Sequence, residues 1–370
     1  MSKNISKFIG IDIDDKAYHV SVYQASENTF INFKTGSSPE LLLKALKKYK
    51  ITPGDKICYE ASYIGYSLYR ALTKAGYFCQ IIAPSLIPRQ PGMKQKTDKI
   101  DAKKLSEYYS KDLLHVIAIP DETDEAVRDL LRSKLFVKST LTKVKNHILA
   151  MCRRLGINYR METDKKSHWT THHLAWLTGR ISKLENKITI KNFRILFKQF
   201  EDLNSSIGLY ENEIEAISCE KRYKDKVNTL LAFKGVKKES ALTLITELGD
   251  IKRFDHPKRI TSYAGFDLVE YSSGGKERKS GISKMGNSNI RKIAVSAVQY
   301  SIRSPVAGAR LRRRRKNCNA KVLQIASKCD ARLHKKGSRM LYAGKPIMKI
   351  QVACRGEFLG FIWEALNEAA

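Results

Sequence analysis

The chain of 370 residues is long enough for two or three domains, each able to bury its own core. Its 68 Lys and Arg against 37 Asp and Glu leave a formal charge of +31, which points to nucleic acid as the partner. No apolar run of about 18 residues and no apolar leader appears, so a membrane-spanning class is excluded and a cytoplasmic protein is expected. Seven scattered cysteines without a C-x-x-C pair read as reduced packing residues, not as a zinc site or a disulfide framework.

Residues 8–13, 17–23 and 28–34 alternate or run apolar in the manner of strands, with Asp14 and Asp15 in the first turn. Ser38-Pro39-Glu40 then caps a helix whose Leu41, Leu42, Leu43, Leu46 and Tyr49 form an apolar stripe. Pro53-Gly54 breaks the chain before a strand ending at Glu60, a helix over 63–75 stops at Gly76, and a strand from Phe78 to Ala83 stops at Pro84. A loop with Pro88 and Pro91 leads to a helix carrying Asp98 and Asp101. Three strands, helix, strand, helix, strand is the order of a ribonuclease-H-like α/β core, in which the first and fourth strands are neighbours.

From Glu122 to Leu155 the pattern is helical and basic, with Val127, Leu130, Leu131, Leu135, Leu141, Val144, Ile148 and Met151 on a core-facing side. The polar patch at 165–173 holds three histidines but no carboxylate or cysteine at a metal-type spacing. A second long helical stretch, about 181–217, reads as a coiled-coil spacer between domains or between protomers. Lys234-Gly235-Val236-Lys237-Lys238 opens a helix after a glycine turn. That is the form both of a helix-hairpin-helix module gripping DNA backbone and of an ordinary packing turn, and both readings stay open. The expected layout is an α/β domain over 1–118, a helical or coiled-coil region over 119–225 and a mostly α domain over 226–370.

Asp98 and Asp101, spaced i and i+3, project from one face of a helix with Lys96, Lys99, Lys103 and Lys104 beside them. With Asp12 on a strand and Glu60 at a strand end, they make the parts of a Mg²⁺ site. The stretch 271–287 places Ser272 and Ser273 before Gly274-Gly275, with Lys276, Arg278, Lys279 and Lys284 close behind. On composition alone it is a flexible basic loop in which a hydroxyl can approach a phosphate, and no catalytic triad accompanies it. Arg291 follows, and the run Arg310, Arg312, Arg313, Arg314, Arg315 and Lys316 suits phosphate contacts.

Gly-Ile-Asp, Tyr-Glu-Ala and Thr-Asp-Lys-Ile-Asp-Ala, followed by Ser-Gly-Gly-Lys, Gly-Ile-Ser-Lys-x-Gly-Asn and Ile290-Arg291, resemble the motifs of a known family. They are similar to those of the DEDD transposases of bacterial insertion sequences, relatives of the Piv and MooV invertases, whose amino-terminal half looks like the RuvC Holliday-junction resolvase. The resemblance spans nearly the whole chain. It implies a RuvC-like domain followed by a transposase domain, with Asp12, Glu60, Asp98 and Asp101 as the four carboxylates holding Mg²⁺. It also implies Ser273 as a nucleophile that joins DNA to the enzyme, with Ser272 as the fallback. Relatives usually carry a proline after Ala-Gly-Leu, whereas this chain reads Ala264-Gly265-Phe266-Asp267-Leu268-Val269, which bears on the choice of serine. The implied partners are DNA at element ends and target site, a structured guide RNA, and further copies of the chain, from dimer to tetramer, in which one protomer's carboxylates meet another's serine. A metal-dependent junction nuclease without a covalent intermediate is the alternative reading.

Overall fold

The computed structural model describes residues 7–88, 97–273, 276–316 and 318–369, the side chains of 270–280 lying outside that description. Two compact units result, Met1–Ile119 and Pro120–Ala370. In the first, β1 (Lys7–Ile13), β2 (Ala17–Gln24) and β3 (Thr29–Gly36) form an antiparallel meander. Helix α1 (Pro39–Lys48), β4 (Lys56–Glu60), α2 (Ser67–Lys74), β5 (Phe78–Ile82) and α3 (Asp98–Ser110) follow. The sheet order is β3-β2-β1-β4-β5, with β4 parallel to both β1 and β5. This mixed sheet is consistent with the ribonuclease-H-like core expected from the sequence.

Strand alternation sorts the side chains into two layers. Ile9, Ile11, Val20, Val22, Ile57, Tyr59 and Ile81 join Leu42 and Leu46 of α1 and Leu68 and Leu72 of α2 in one core. Each fully buried leucine there contributes on the order of 1.5–3 kcal/mol. Leu41 of the expected stripe is instead half exposed, since the core-facing pair at i and i+4 is Leu42 and Leu46. The opposite face of the sheet presents Cys58 and Ile82 to Leu105 and Tyr109 of α3, with Phe8 packed alongside. Asp12 and Glu60 share the parity of Phe8 and Cys58, so the layer covered by α3 is also the layer of the acids.

In the second unit, α4 (Glu122–Arg154) and α7 (Lys187–Cys219) are each 33 residues long, roughly 50 Å. Val127 and Leu131 of α4 share a core with Ile214 and Ile217 of α7. Leu141, Ile148 and Met151 share another with Phe193 and Phe200. The two helices are therefore antiparallel, and α7, expected as a spacer, pairs with α4 of its own chain. At the far end, α5 (Tyr159–Glu162) and α6 (Thr171–Ser182) surround the histidine patch. His173 is buried against Tyr159, Trp169 and Trp176, and its Nδ1 accepts from the Trp169 amide. Burial, then neighbouring His168, pushes its pKa down to about 4, which suits a packed neutral ring.

Helices α8 (Lys224–Leu231), α9 (Lys238–Leu248) and α10 (Pro257–Tyr263) precede the hairpin β6 (Leu268–Ser273) and β7 (Lys276–Ile282). The chain continues through α11 (Ser288–Arg303), α12 (Ala309–Arg315), α13 (Ala320–Tyr342) and α14 (Ile347–Glu368). Val127, Leu131, Ile214 and Ile217 bury against these carboxy-terminal helices, so residues from the stretches 119–225 and 226–370 share one core.

Candidate active site

The acidic group begins with register. Ile11 of β1 lies opposite Tyr59 of parallel β4, so Asp12 and Glu60, one residue on, leave the sheet side by side. Helix α3 brings the other two. The Thr97 hydroxyl accepts from the Ile100 amide, a cap that starts the helix at Asp98 and puts Asp98 and Asp101 in its first turn. Carboxylates there are favoured by the helix's positive end.

Gly10 makes the approach possible. A Cβ at this position would stand 2.3 Å from the Ala102 carbonyl oxygen and 2.5 Å from the Ser106 amide nitrogen, both backbone atoms of α3. Gly10→Ala is therefore expected to push α3 off the sheet, destabilising the fold by about 1–3 kcal/mol and weakening divalent-ion binding. Urea denaturation and calorimetric titration check this; unchanged stability with unchanged metal affinity would contradict it.

One ligand atom each from Asp12, His19 and Asp98 fall within 4.8 Å of one another. His19 was not singled out from the sequence. It sits on β2 directly across from Asp12, and its Nδ1 lies 3.3 Å from an Asp98 carboxylate oxygen, near enough for ionic contact but without hydrogen-bond alignment. The signal was present: the turn at Asp14-Asp15-Lys16 pairs Ile13 with Tyr18, which puts 12 opposite 19. Asp14 accepts from the Lys16 amide and is a turn residue, as expected.

Burial raises the Asp12 carboxyl, Asp98 and Asp101 raise it further, His19 opposes them and Glu60 adds to the rise, giving a value of about 6. Asp12 thus feels each of the other three sequence-named acids electrostatically. Closely grouped carboxylates, one of them raised toward neutrality, together with a buried imidazole nitrogen lacking a hydrogen bond, fit a divalent cation. The linkage has a definite sign. A carboxyl raised from 3.8 to about 6 gives the metal-free fold stability that is full below pH 4 and is lost as pH rises through 6. A cation reverses that loss and displaces the proton on binding. Its stabilisation, about 2.7 kcal/mol at a hundredfold excess over Kd, is expected to be larger at pH 7.5 than at pH 5. Equal melting-temperature increments at the two pH values would contradict this.

On the hairpin, the backbone of Ser272 pairs with Glu277 and that of Ser273 with Lys276. Gly274 and Gly275, and the side chains of Ser272, Ser273, Lys276, Arg278 and Lys279, lie outside the described residues. Beyond β7, Lys284 is exposed with a φ of 56°. Asn287 caps α11, accepting from the Asn289 and Ile290 amides, and donates to Glu247, as does Asn289. Arg132 completes the cluster on Glu247. Burial alone would raise Glu247, but Asn289, Arg132 and Asn287 outweigh it and hold the carboxyl below its ordinary value. Arg291, expected on nucleic acid, donates to the Ala264 and Gly286 carbonyls and ties the hairpin's exit to α10.

The cation run divides. Arg310, Arg312, Arg313 and Lys316 are exposed, whereas Arg314 donates to the Val236 carbonyl and Arg315 to the Ala232 carbonyl and Asp330. Arg314 and Arg315 thus clamp the α8–α9 turn, and the buried Lys234 ammonium is held by the Ser304 carbonyl. These contacts favour the packing role for the Gly235 turn. Arg315→Ala leaves Asp330 buried without its guanidinium partner, with the Ser301 hydroxyl as its remaining donor, and is expected to cost about 3–5 kcal/mol. Arg312→Ala and Arg313→Ala should stay within about 0.5 kcal/mol. Equal effects in urea denaturation would contradict the division.

Comparison with known proteins adds two matches. Residues 9–156 match the profile of the DEDD transposases of the IS110 type, and residues 227–312 match that of the transposase IS116/IS110/IS902 family. Two separate stretches of the chain are thus similar to transposases of the IS116/IS110/IS902 family. These similarities support a role in DNA transposition; the DEDD family typically uses a divalent metal, and Asp12, His19 and Asp98 form a candidate group of ligands for one. Over 367 residues the chain is 29% identical to the putative transposase y4qE of Sinorhizobium fredii, covering 98% of this chain and 89% of that one. Over 352 residues it is 28% identical to the transposase for insertion sequence element IS1533 of Leptospira borgpetersenii, covering 92% and 99%. The transposase for element IS1328 of Yersinia enterocolitica is 23% identical over 306 residues, covering 79% and 82%. The acids Asp12, Glu60, Asp98 and Asp101 fall in the first profile match, Ser272 and Ser273 in the second. No helix among the described residues is long and apolar enough to cross a membrane.

Proposed function

We propose that the chain is a transposase that cuts and rejoins DNA through a phosphoserine intermediate at Ser273, with Ser272 as the alternative, assisted by Mg²⁺ held by Asp12, Glu60, Asp98 and Asp101. The observation that carries the reading is the convergence of Asp12 and Asp98 with His19, whose ligand atoms lie within 4.8 Å of one another on the face of the sheet that α3 covers. When bound, the ion polarises the scissile phosphate and favours the serine alkoxide. Asp12, Glu60, Asp98 and Asp101 would hold the ion, and the acidic cluster would supply the help that the serine needs to lose its proton. The Ser273 oxygen forms its bond to phosphorus as the bond to a deoxyribose oxygen breaks, and that oxygen takes up a proton. The new phosphodiester keeps the energy of the old one for rejoining.

Exposed Arg310, Arg312, Arg313 and Lys316 would neutralise phosphates, with Lys276, Arg278, Lys279 and Lys284 near the serine. The charge of +31 also suits a structured guide RNA pairing with element ends and target, and assembly from dimer to tetramer would let one protomer's carboxylates serve another's serine. The test is a nicked duplex carrying an element end, incubated with protein, RNA and Mg²⁺ and run under denaturing conditions. A protein-DNA adduct supports the proposal. Free cut ends without an adduct would mean water is the nucleophile.

A further inference from the structure

The four carboxylates describe a hard, all-oxygen site, and His19 changes its character. The imidazole Nδ1 is shut off from solvent and has no hydrogen-bond partner among the described residues, yet it lies 3.3 Å from Asp98 Oδ2. A buried polar nitrogen left unpartnered is costly, so the position calls for something to satisfy it. The imidazole is also well anchored. Asp12 and His19 are cross-strand neighbours in the antiparallel pair, and the adjoining Tyr18 and Val20 are locked into the core on the opposite face. A simple ion pair with Asp98 would be expected to align an N–H with the carboxylate, which this geometry lacks.

We infer that His19 Nδ1 is a ligand of the divalent ion held between Asp12 and Asp98, making the centre a mixed nitrogen and oxygen site that binds Mn²⁺ in preference to Mg²⁺. Imidazole donors favour first-row transition ions, while Mg²⁺ gains little from replacing oxygen by nitrogen. The inference rests on the carboxylate cluster being a metal site.

The experiment uses the full-length chain with Mn²⁺ alone and reads pulsed electron paramagnetic resonance, so that no activity is needed. With histidine labelled by ¹⁵N, the nitrogen modulation on bound Mn²⁺ is expected to change from the ¹⁴N to the ¹⁵N pattern, and to disappear in His19→Gln. The labelled wild-type spectrum stands even if that variant folds poorly. Calorimetry should show Mn²⁺ affinity falling on the order of 10–100-fold in His19→Gln, with Mg²⁺ affinity changing far less. Mn²⁺ bound in an Asp12-dependent manner without histidine modulation would overturn the role of His19 and leave the metal site standing. Mn²⁺ binding that is absent, or indifferent to Asp12→Asn, would overturn both.

Discussion

Asp12→Asn is expected to lower strand cleavage on the order of 10³-fold while leaving the metal-free protein at least as stable as before. The two halves come from one cause. Asp12 is partly buried and repelled by Asp98, Asp101 and Glu60, so an isosteric neutral amide removes a charge that the metal-free fold disfavours at neutral pH. The same change removes a central carboxylate from the proposed cation site, and a hard ion loses affinity with each missing charge. An unchanged or raised melting temperature with lost cleavage separates this result from general unfolding. Cleavage at the normal rate would mean the site is drawn wrongly.

Ser273→Ala should have a comparable effect on cleavage by a different route. A serine hydroxyl is a weak nucleophile near neutral pH and depends on neighbouring groups for activation. Removing it should abolish the adduct and strand cleavage, again by about 10³-fold or more, while Mn²⁺ binding and affinity for nucleic acid stay as in the wild type. In an enzyme that used water, the same change would leave cutting almost untouched. Ser272→Ala, made separately, is expected to retain cleavage, and a reversal of the two results would move the nucleophile by one residue.

The placement of the four carboxylates was legible because it is local. Alternation on β1 and β4 and a threonine cap before α3 suffice to put Asp12, Glu60, Asp98 and Asp101 on one side of the sheet. His19 depends on the hairpin's register, which can be counted outward from the turn, yet a lone histidine in an apolar strand does not draw attention. The internal use of Arg314 and Arg315 was hidden by composition, since six of seven residues from Arg310 to Lys316 are basic. Helical spacing distinguishes them: Leu311, Arg314 and Arg315 fall at i, i+3 and i+4, and Leu311 is buried. The Glu247 cluster was beyond reach, because Arg132, Asn287 and Asn289 arrive from segments far apart in the chain and nothing local pairs them.

The most direct measurement is the position of the DNA on the protein. Trypsin cleaving after Arg259 and Lys276 releases the peptide Ile260–Lys276, which contains both candidate serines. After adduct formation and nuclease trimming, tandem mass spectrometry should find this peptide carrying a nucleotide phosphate, with the fragment series placing the added mass on Ser273. A nucleotide on a residue outside Ser272 and Ser273, or undiminished cleavage by the double alanine variant with no modified peptide, would contradict the phosphoserine mechanism.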